Sequence, residues 1–205
     1  GKMYQPRYLS GLAAGAMTDS NKIGYVAAFP IPEVIRGINA FAAGVNEVNP
    51  DATVEVVWTF TWFGPEAETQ AANALLEKGA DVLAQHQDST ATGLAAEAAG
   101  AKWISYNTAY GQDSAPEAFV TAPVWDWGPY YVDVVESIID GTFTTESYWG
   151  GMETGLVSLY DLSSDVPSET ATLIAEKTEA IIDGTLEVAI VEEEFISNVI
   201  GTVNP

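Results

Sequence analysis

Aromatic, amide and carboxylate side chains follow the short apolar segments of this sequence, and these residue types are suited to holding a small molecule. The candidates for a ligand-binding site are Phe29, Trp62, Asp88, Asn107, Trp125 and Trp127. Aromatic rings offer flat apolar faces on which a planar heterocycle stacks, and amide or carboxylate groups hydrogen-bond to its edge. The residues therefore predict a binding site for a small planar ligand.

Each candidate also has a purely structural interpretation. Phe29 follows an apolar segment, where a ring can also close the core, and Asp88 precedes a helical pattern, so that composition alone favours a capping role for it. Trp125 and Trp127 have the two-residue spacing of an extended segment, so their shared face is also explained by packing against a hinge. The single histidine, His86, alternates with apolar residues of its strand, which favours a buried, hydrogen-bonded imidazole over a ligand or base.

Catalytic constellations are scarce in the sequence. It contains no cysteine and one histidine, and no Gly-x-Ser-x-Gly motif accompanies that histidine. It also lacks a Walker-type phosphate loop and a Gly-x-Gly-x-x-Gly turn after a strand. Among 29 acidic residues some carboxylates lie close together by chance, so a carboxylate pair is not a signal. The sequence therefore offers no motif for nucleophilic catalysis or for a nucleotide cofactor, and we expect no cofactor or metal ion, while paired carboxylates stay an open alternative.

The charge balance restricts the partners of the protein. With 29 acidic and 7 basic residues the net charge is −22, which opposes binding to nucleic acid or to an anionic lipid surface. The acidic residues are spread along the chain, as expected for a solvated surface adapted to high salt. No apolar run reaches the roughly 20 residues that a membrane-spanning helix needs. The 205 residues predict one domain or two small lobes.

Short apolar runs alternate with amphipathic helical patterns along the chain. The predicted strands are 23–28, 54–58, 82–86, 103–106 and 119–122, and the predicted helices are 32–48, 65–78, 90–99 and 168–183. This alternation predicts an α/β fold in which a parallel sheet carries helices on both faces. Ligands bind at the carboxyl ends of such strands, where the candidate residues stand. Segment 188–205 fits no predicted element.

Four separated blocks of the sequence resemble the basic membrane protein family of ABC-transporter substrate-binding proteins. They are YQPRYLSG at 4–11, IGYVAAFPIPEVIRGINAF at 23–41, GADVLAQHQD at 79–88 and APVWDWGP at 122–129. The likeness runs from about residue 4 to residue 188. The resemblance implies a type I periplasmic-binding-protein fold of two α/β lobes, and a protein that binds its ligand without chemistry.

The resemblance also implies partners, a location and roles for the candidates. Members of the family deliver small molecules to the membrane permease of an ABC importer, and several bind purine nucleosides or free bases. We expect a periplasmic or extracellular protein that is lipid-anchored in its full-length form. Phe29 is expected to stack on the base, Trp62 to form a cleft wall, and Asp88 and Asn107 to bind ring nitrogens or an amino group. Trp125 and Trp127 are expected near the crossover between lobes.

Two departures from the family pattern bear on the ligand. In the nucleoside-binding branch an Asp at the site of Asn107 and a Lys near Trp125 hold the ribose, and neither is present here. A ribose-free base such as adenine is therefore the expected ligand. A nucleoside or sugar receptor of the same fold, a flavodoxin-like binding domain and an α/β enzyme remain open alternatives.

By the same resemblance, the chain comprises one lobe, hinge segments and part of the other lobe. We expect the last helix of the first lobe and a hinge at 1–20, and the ligand-binding second lobe at 21–125. A crossover helix is expected at 126–150, followed at 151–205 by a return to the second lobe and a C-terminal tail.

Overall fold

The computed structural model describes residues 1–203. The helices are α1 Tyr4–Met17, α2 Pro32–Val48, α3 Pro65–Glu77, α4 Ala91–Ala99, α5 Gly111–Ser114, α6 Gly128–Ile139 and α7 Ser168–Ile182. The strands are β1 Lys22–Ala27, β2 Thr53–Trp58, β3 Val82–His86, β4 Lys102–Ile104, β5 Phe119–Thr121, β6 Pro123–Trp125, β7 Val157–Leu159 and β8 Val199–Ile200. None of the helices within this range is both long and apolar enough to cross a bilayer.

Six strands form one sheet in the order β5-β4-β3-β1-β2-β8, and every neighbouring pair is parallel. The predicted parallel α/β fold is therefore confirmed, and each of the five predicted strands lies in this sheet. The sixth strand, β8, comes from the C-terminal segment for which the sequence predicted no element. The sequence also gave no sign of the separate antiparallel pair formed by β6 and β7.

Helices cover both faces of the sheet, because alternate residues of the central strands are buried in two different cores. On one face, Tyr25 of β1 packs in the core that contains residues of α1, α2 and α7. On the other face, Val26 of β1 packs in the core that contains residues of α3 and α4. Strands buried on both sides read as nearly continuous apolar runs, which is why β1 and β3 were recognisable in the sequence.

Helices α1 and α2 pack so closely that their backbones touch. A Cβ atom at Gly11 would lie 2.0 Å from the carbonyl oxygen of Phe41, and a Cβ atom at Gly44 would lie 2.1 Å from that of Tyr8. Only glycine fits at either position. This contact fixes α1 against α2, and the first turns of α1 reach the end of β3, where Arg7 donates to the carbonyl oxygen of Gln85.

The C-terminal segment is tied to α2 by side-chain hydrogen bonds. Asn39 donates to the carbonyl oxygens of Val191 and Glu194, at 2.9 and 2.8 Å, and accepts from the backbone N–H of Ile196 at 3.1 Å. The segment then enters the sheet as β8, beside β2. The division of the chain between two lobes and a hinge stays a prediction, because no observation tests it. Its predicted segments are 1–20, 21–125, 126–150 and 151–205. Residues 204 and 205, at the end of the last segment, lie outside the described residues.

Candidate functional site

Four rings meet at the carboxyl edge of the sheet, and we name them the aromatic cluster: Phe29, Trp62, His86 and Tyr106. The ring centroids of Phe29 and Trp62 are 5.3 Å apart, those of Trp62 and His86 6.0 Å, and those of His86 and Tyr106 4.4 Å. Each ring stands at or just after the end of one of the four strands β1 to β4. Parallel strands bring their carboxyl ends to one edge, so rings distant in sequence converge.

The aromatic cluster is open to solvent at one side and closed at the other. Trp62 is 40% exposed and Phe60, whose ring lies edge-on 6.3 Å from Phe29, is 52% exposed, whereas His86 and Tyr106 are buried. Phe60 was not among the predicted site residues. It adopts a left-handed backbone conformation with φ of +56°, which is unusual for an aromatic residue and turns the chain outward after β2. Apolar rings at the opening of a cleft can bind a flat ligand face.

Asp88 lies beside the aromatic cluster with a free carboxylate. Its backbone N–H donates to the carbonyl oxygen of Trp62 at 2.9 Å, while within residues 1–203 its side chain accepts no hydrogen bond. The capping role considered for Asp88 is not observed, since the Ser89 hydroxyl accepts from the N–H of Ala91 at the start of α4. Partial desolvation raises the pKa of Asp88 above its ordinary value. An amino or ring N–H group of a ligand is a suitable partner for this carboxylate.

Asn107 borders a small polar cavity next to Asp88. The cavity has a volume of about 100 Å³ and is lined by Gln85, Gln87, Asp88, Ser89, Thr90, Ser105, Tyr106, Asn107, Thr108 and Gly111. The side-chain oxygen of Asn107 accepts from the indole N–H of Trp125 at 2.9 Å, and its backbone is left-handed with φ of +65°. The side-chain oxygen of Gln87 is buried here without a hydrogen-bond partner. The cavity is therefore lined by groups that can bind a small polar substituent.

Trp125 and Trp127 belong to a second aromatic group. Their rings stack with centroids 5.4 Å apart and an interplanar angle of 18°, as their two-residue spacing indicated. The group continues into α6, where the ring of Tyr131 lies 6.1 Å from that of Trp127. Through its indole N–H, Trp125 reaches Asn107 and so connects this group to the ligand-side edge of the sheet.

A buried arginine lies beneath the aromatic cluster. Arg7 of α1 donates to the hydroxyl of Tyr25 and to the carbonyl oxygen of Gln85, at 2.5 and 2.8 Å, and its guanidinium lies 4.1 Å from the centre of the Tyr106 ring. Burial, together with the charge of Arg7, holds the pKa of His86 well below its usual value, and burial raises the pKa of Tyr106 to about 12. His86 is buried as predicted, but the predicted hydrogen bonding is not observed, since its Nδ1 atom has no partner within residues 1–203 and its Nε2 atom lies 3.5 Å from Glu33. Arg7 and Tyr106 carried no signal in the sequence that marked them as neighbours of the site.

The geometry defines a class of protein: a parallel α/β domain that gathers aromatic and polar groups at the carboxyl edge of its sheet, as small-molecule binding domains do. Over residues 1–191 the sequence matches the model of the Bmp family, described as ABC transporter substrate-binding protein PnrA-like. The chain belongs to this family, as its resemblance to the basic membrane proteins indicated. Its family and relatives are substrate-binding proteins and not enzymes.

Two relatives and one solved structure illustrate the similarity. The putative ABC transporter glucose-binding protein TsgA13 of Haloferax volcanii is 45% identical over 188 residues, which are 92% of this chain and 48% of that protein. The purine-binding protein BAB2_0673 of Brucella abortus is 40% identical over 186 residues, 88% of this chain and 51% of that protein. An ABC transporter solute-binding protein of Conexibacter woesei is 26% identical with a TM-score of 0.76, covering 92% of this chain and 63% of that one. The chain thus spans about half the length of these two sequence relatives.

Proposed function

We propose that the protein is the receptor of an ABC importer and that it binds a purine base, adenine or a close analogue, at the carboxyl edge of this sheet. The observation that carries the proposal is the aromatic cluster, whose outer rings Phe29 and Trp62 stand at its open side. A purine is flat and weakly polar on its faces, so it loses little hydration when it stacks on such rings. Membership in a substrate-binding family and a purine-binding relative that is 40% identical support the same function.

Polar groups at this edge complement a base without a ribose. Asp88 supplies a carboxylate that accepts hydrogen bonds, and Asn107, held by Trp125, borders a cavity of about 100 Å³. A cavity of this size takes a single small group or a few waters, at roughly 30 Å³ for each water. The cavity therefore suits a small substituent at the edge of a base that is stacked on the rings, and it is too small for a ribose.

A sugar is the second candidate ligand, because the relative that is 45% identical is a putative glucose-binding protein. Stacking on an aromatic ring also suits the apolar face of a pyranose. A sugar site, however, must satisfy several hydroxyl groups at once, since an unpaired buried hydroxyl is costly. The open side of the aromatic cluster offers mainly rings, namely Phe29, Phe60 and Trp62, so the purine is the better match.

The proposal also covers the protein partner of the receptor and its cellular location. A permease of the ABC importer would accept the ligand, and the receptor would act in the periplasm or outside the cell, lipid-anchored in its full-length form. Segment 126–150 would cross toward the other lobe, as its exposed apolar residues favour. They are Trp127, Tyr131, Val132, Val135, Ile138, Ile139, Phe143, Tyr148 and Trp149. An apolar helix face of this kind is commonly covered by another part of a protein.

Substitution of Phe29 by alanine tests the stacking face. Base stacking on an aromatic ring contributes roughly 1–3 kcal/mol, so Phe29→Ala should weaken adenine binding by about tenfold or more. Phe63→Ala is the matched control, because Phe63 lies in the turn after β2, is 65% exposed and pairs with no other ring in the described residues. It should leave the dissociation constant within about twofold. Isothermal titration of the protein in its full natural length measures both.

The same titration, run against a panel of purines, pyrimidines and sugars, decides between the two ligand classes. Adenine binding that Phe29→Ala weakens and Phe63→Ala does not would support the purine receptor. Tight glucose binding without measurable purine binding would overturn the purine assignment and leave family membership unaffected.

A further inference from the structure

A line of three polar side chains runs from the core, past His86 of the aromatic cluster, to the protein surface. It begins at Arg7, continues through His86 and ends at Glu33 in the first turn of α2. The Nε2 atom of His86 lies 3.5 Å from Oε2 of Glu33, and Arg7 is close enough for its charge to lower the pKa of His86. Arg7 and His86 are buried, whereas the side chain of Glu33 is 44% exposed. The line therefore joins a buried charge to an accessible carboxylate.

The surroundings of His86 indicate which of its two nitrogens carries the proton. The Nδ1 atom of His86 and the Nε and Nη2 atoms of Arg7 are buried without hydrogen-bond partners in the described chain. Both groups border Gly37, where a Cβ atom would lie 3.3 Å from Nε of Arg7 and 3.8 Å from Nδ1 of His86. The Nε2 atom, by contrast, faces a carboxylate oxygen of Glu33, which can only accept, so the proton of the neutral imidazole belongs on Nε2. The imidazole is neutral, with its proton on Nε2 and directed at Glu33.

Glu33 keeps its hydrogen-bonding capacity for another molecule. The 3.5 Å separation from His86 is longer than an ordinary hydrogen bond, and within residues 1–203 the carboxylate accepts no other. Because His86 is neutral, the pair is not an ion pair, and the imidazole N–H orients the carboxylate without neutralising it. Glu33 lies in the first turn of α2, and its approach to His86 places its carboxylate beside the aromatic cluster.

We propose that Glu33 reads the exocyclic amino group of the ligand, and that His86 and Arg7 are positioning residues that orient its carboxylate. The proposal rests on the purine receptor function and adds the substituent that the site selects. A carboxylate accepts from an amino group, gains nothing from a methyl group and repels a carbonyl oxygen. The receptor should therefore prefer aminopurines to purines that lack the amino group.

The test compares adenine with 6-methylpurine, in which a methyl group replaces the amino group at nearly the same size. The wild-type protein, in its full natural length, should bind adenine at least about tenfold more tightly, since this is the usual effect of a hydrogen bond to a charged group. Glu33→Met keeps the length of the side chain and removes its acceptors. It should reduce the preference to within about threefold, chiefly by weakening the binding of adenine. Glu169→Met, in the first turn of α7, is the matched control and should keep the full preference.

Two His86 variants test the positioning role. His86→Gln retains an N–H donor at a similar reach and should keep most of the preference for adenine, whereas His86→Phe retains only the ring and should lose it. A purely structural role of His86 would instead change the melting temperature in both variants and leave the preference of the folded protein intact. Equal preferences in the two variants would overturn the positioning role.

The outcomes separate this proposal from the receptor function on which it rests. Suppose that the wild-type protein binds adenine, and that Glu33→Met either keeps the preference for adenine over 6-methylpurine or weakens the binding of both purines equally. The role assigned to Glu33 is then wrong, and the proposed purine receptor function is unaffected. If the wild-type protein binds neither purine, both proposals are wrong. If Glu33→Met loses the preference for adenine over 6-methylpurine and Glu169→Met keeps it, the result supports recognition of the amino group by Glu33.

Discussion

Arg7 brings a guanidinium into the core with few of its hydrogen bonds satisfied. It is 1% exposed, and only its Nη1 atom donates to described partners. Removing a charge from water is unfavourable unless neighbours compensate for it. The ring of Tyr106, 4.1 Å from the guanidinium, supplies part of that compensation through a cation–π contact. The neighbouring His86 remains neutral because a second positive charge in the same core would be more unfavourable still.

Neutral His86 predicts a pH dependence of stability. Its pKa in the folded state is well below the unfolded value of about 6.5, so below that pH the unfolded chain binds more protons than the folded one. The free energy of unfolding should therefore fall as the pH drops below about 6.5, by at most about 1.4 kcal/mol per pH unit from this group. Above pH 7 this contribution should be constant. Urea unfolding between pH 7.5 and pH 5 measures it.

His86→Gln is the control for this prediction. His86 is the only histidine of the sequence, so no other imidazole contributes. Subtracting the curve of the variant from that of the wild type cancels the carboxyl groups and the amino terminus, which both proteins share. A difference curve that is flat from pH 7.5 to pH 5 would show that His86 is not held neutral in the folded protein.

Residue type and strand position predicted only part of the candidate site. Phe29 and Trp62 could be selected because each follows a strand of a parallel sheet, and the structure brings their rings together. Arg7 could not be selected, because its contact with Gln85 joins positions 78 residues apart and no local pattern records it. Whether the six predicted residues bind a ligand stays a prediction. The line from Arg7 to Glu33 became visible only when three distant segments were placed together.

At the level of elements, local signals predicted the helices α2, α3, α4 and α7 and five strands of the sheet, whereas α1 and α6 were implied only by the family resemblance and α5 was not predicted. The predicted helix 32–48 coincides with α2, and β3 occupies 82–86 as predicted, because strong periodicity and flanking Gly or Pro mark both. Gly79 and Gly100 are left-handed, with φ of +93° and +70°, as expected for residues that end helices. The strand β8 escaped prediction because it has two residues and is defined by its partner β2.

The C-terminal segment depends on one side chain of α2. Asn39 makes three hydrogen bonds to the backbone of residues 191–196 and is 2% exposed. Asn39→Ala leaves these backbone groups without partners, so it should destabilise the protein by roughly 2 kcal/mol or more. It should also release the segment from α2. Chemical denaturation measures the first effect, and the rate of proteolytic cleavage between residues 188 and 203 measures the second.

Asn46→Ala is the matched control for Asn39→Ala. Asn46 lies on the exposed side of the same helix and makes no side-chain hydrogen bond in the described chain. It should leave both the unfolding free energy and the cleavage rate almost unchanged. Equal cleavage rates for Asn39→Ala and the wild type would mean that other contacts hold the segment, such as the stacking of Phe195 on Trp58.

On the scale of the whole molecule, the acidic excess is not balanced by ion pairs. The ion pairs of Lys and Arg within residues 1–203 are Lys2–Glu153, Arg36–Glu192, Lys78–Glu55, Lys102–Asp165 and Lys177–Glu47. Most of the 29 acidic residues therefore have no cationic partner, and the net charge of −22 acts against the compact state. Exposed pairs of this kind each contribute at most about 1 kcal/mol, so they cannot offset the repulsion.

This repulsion predicts a stability that rises with salt. Ions screen charges beyond about 10 Å at 0.1 M ionic strength, so screening should relieve the long-range repulsion first. The melting temperature should increase from dilute buffer to molar NaCl, with the steepest rise at low concentration. Thermal melting followed by circular dichroism measures this, with sucrose as a control for effects that do not depend on charge.

A triple variant separates screening from other effects of salt. Asp133, Glu136 and Asp140 lie at three- and four-residue steps along α6 and its end, are exposed and repel one another. Asp133→Asn, Glu136→Gln and Asp140→Asn together should raise the melting temperature in dilute buffer and reduce its increase with NaCl. A wild-type midpoint that stays constant or falls as NaCl increases would contradict the screening argument. A triple variant with the full salt response would instead place the repulsion elsewhere on the surface, because neutralising these carboxylates would then have removed none of it.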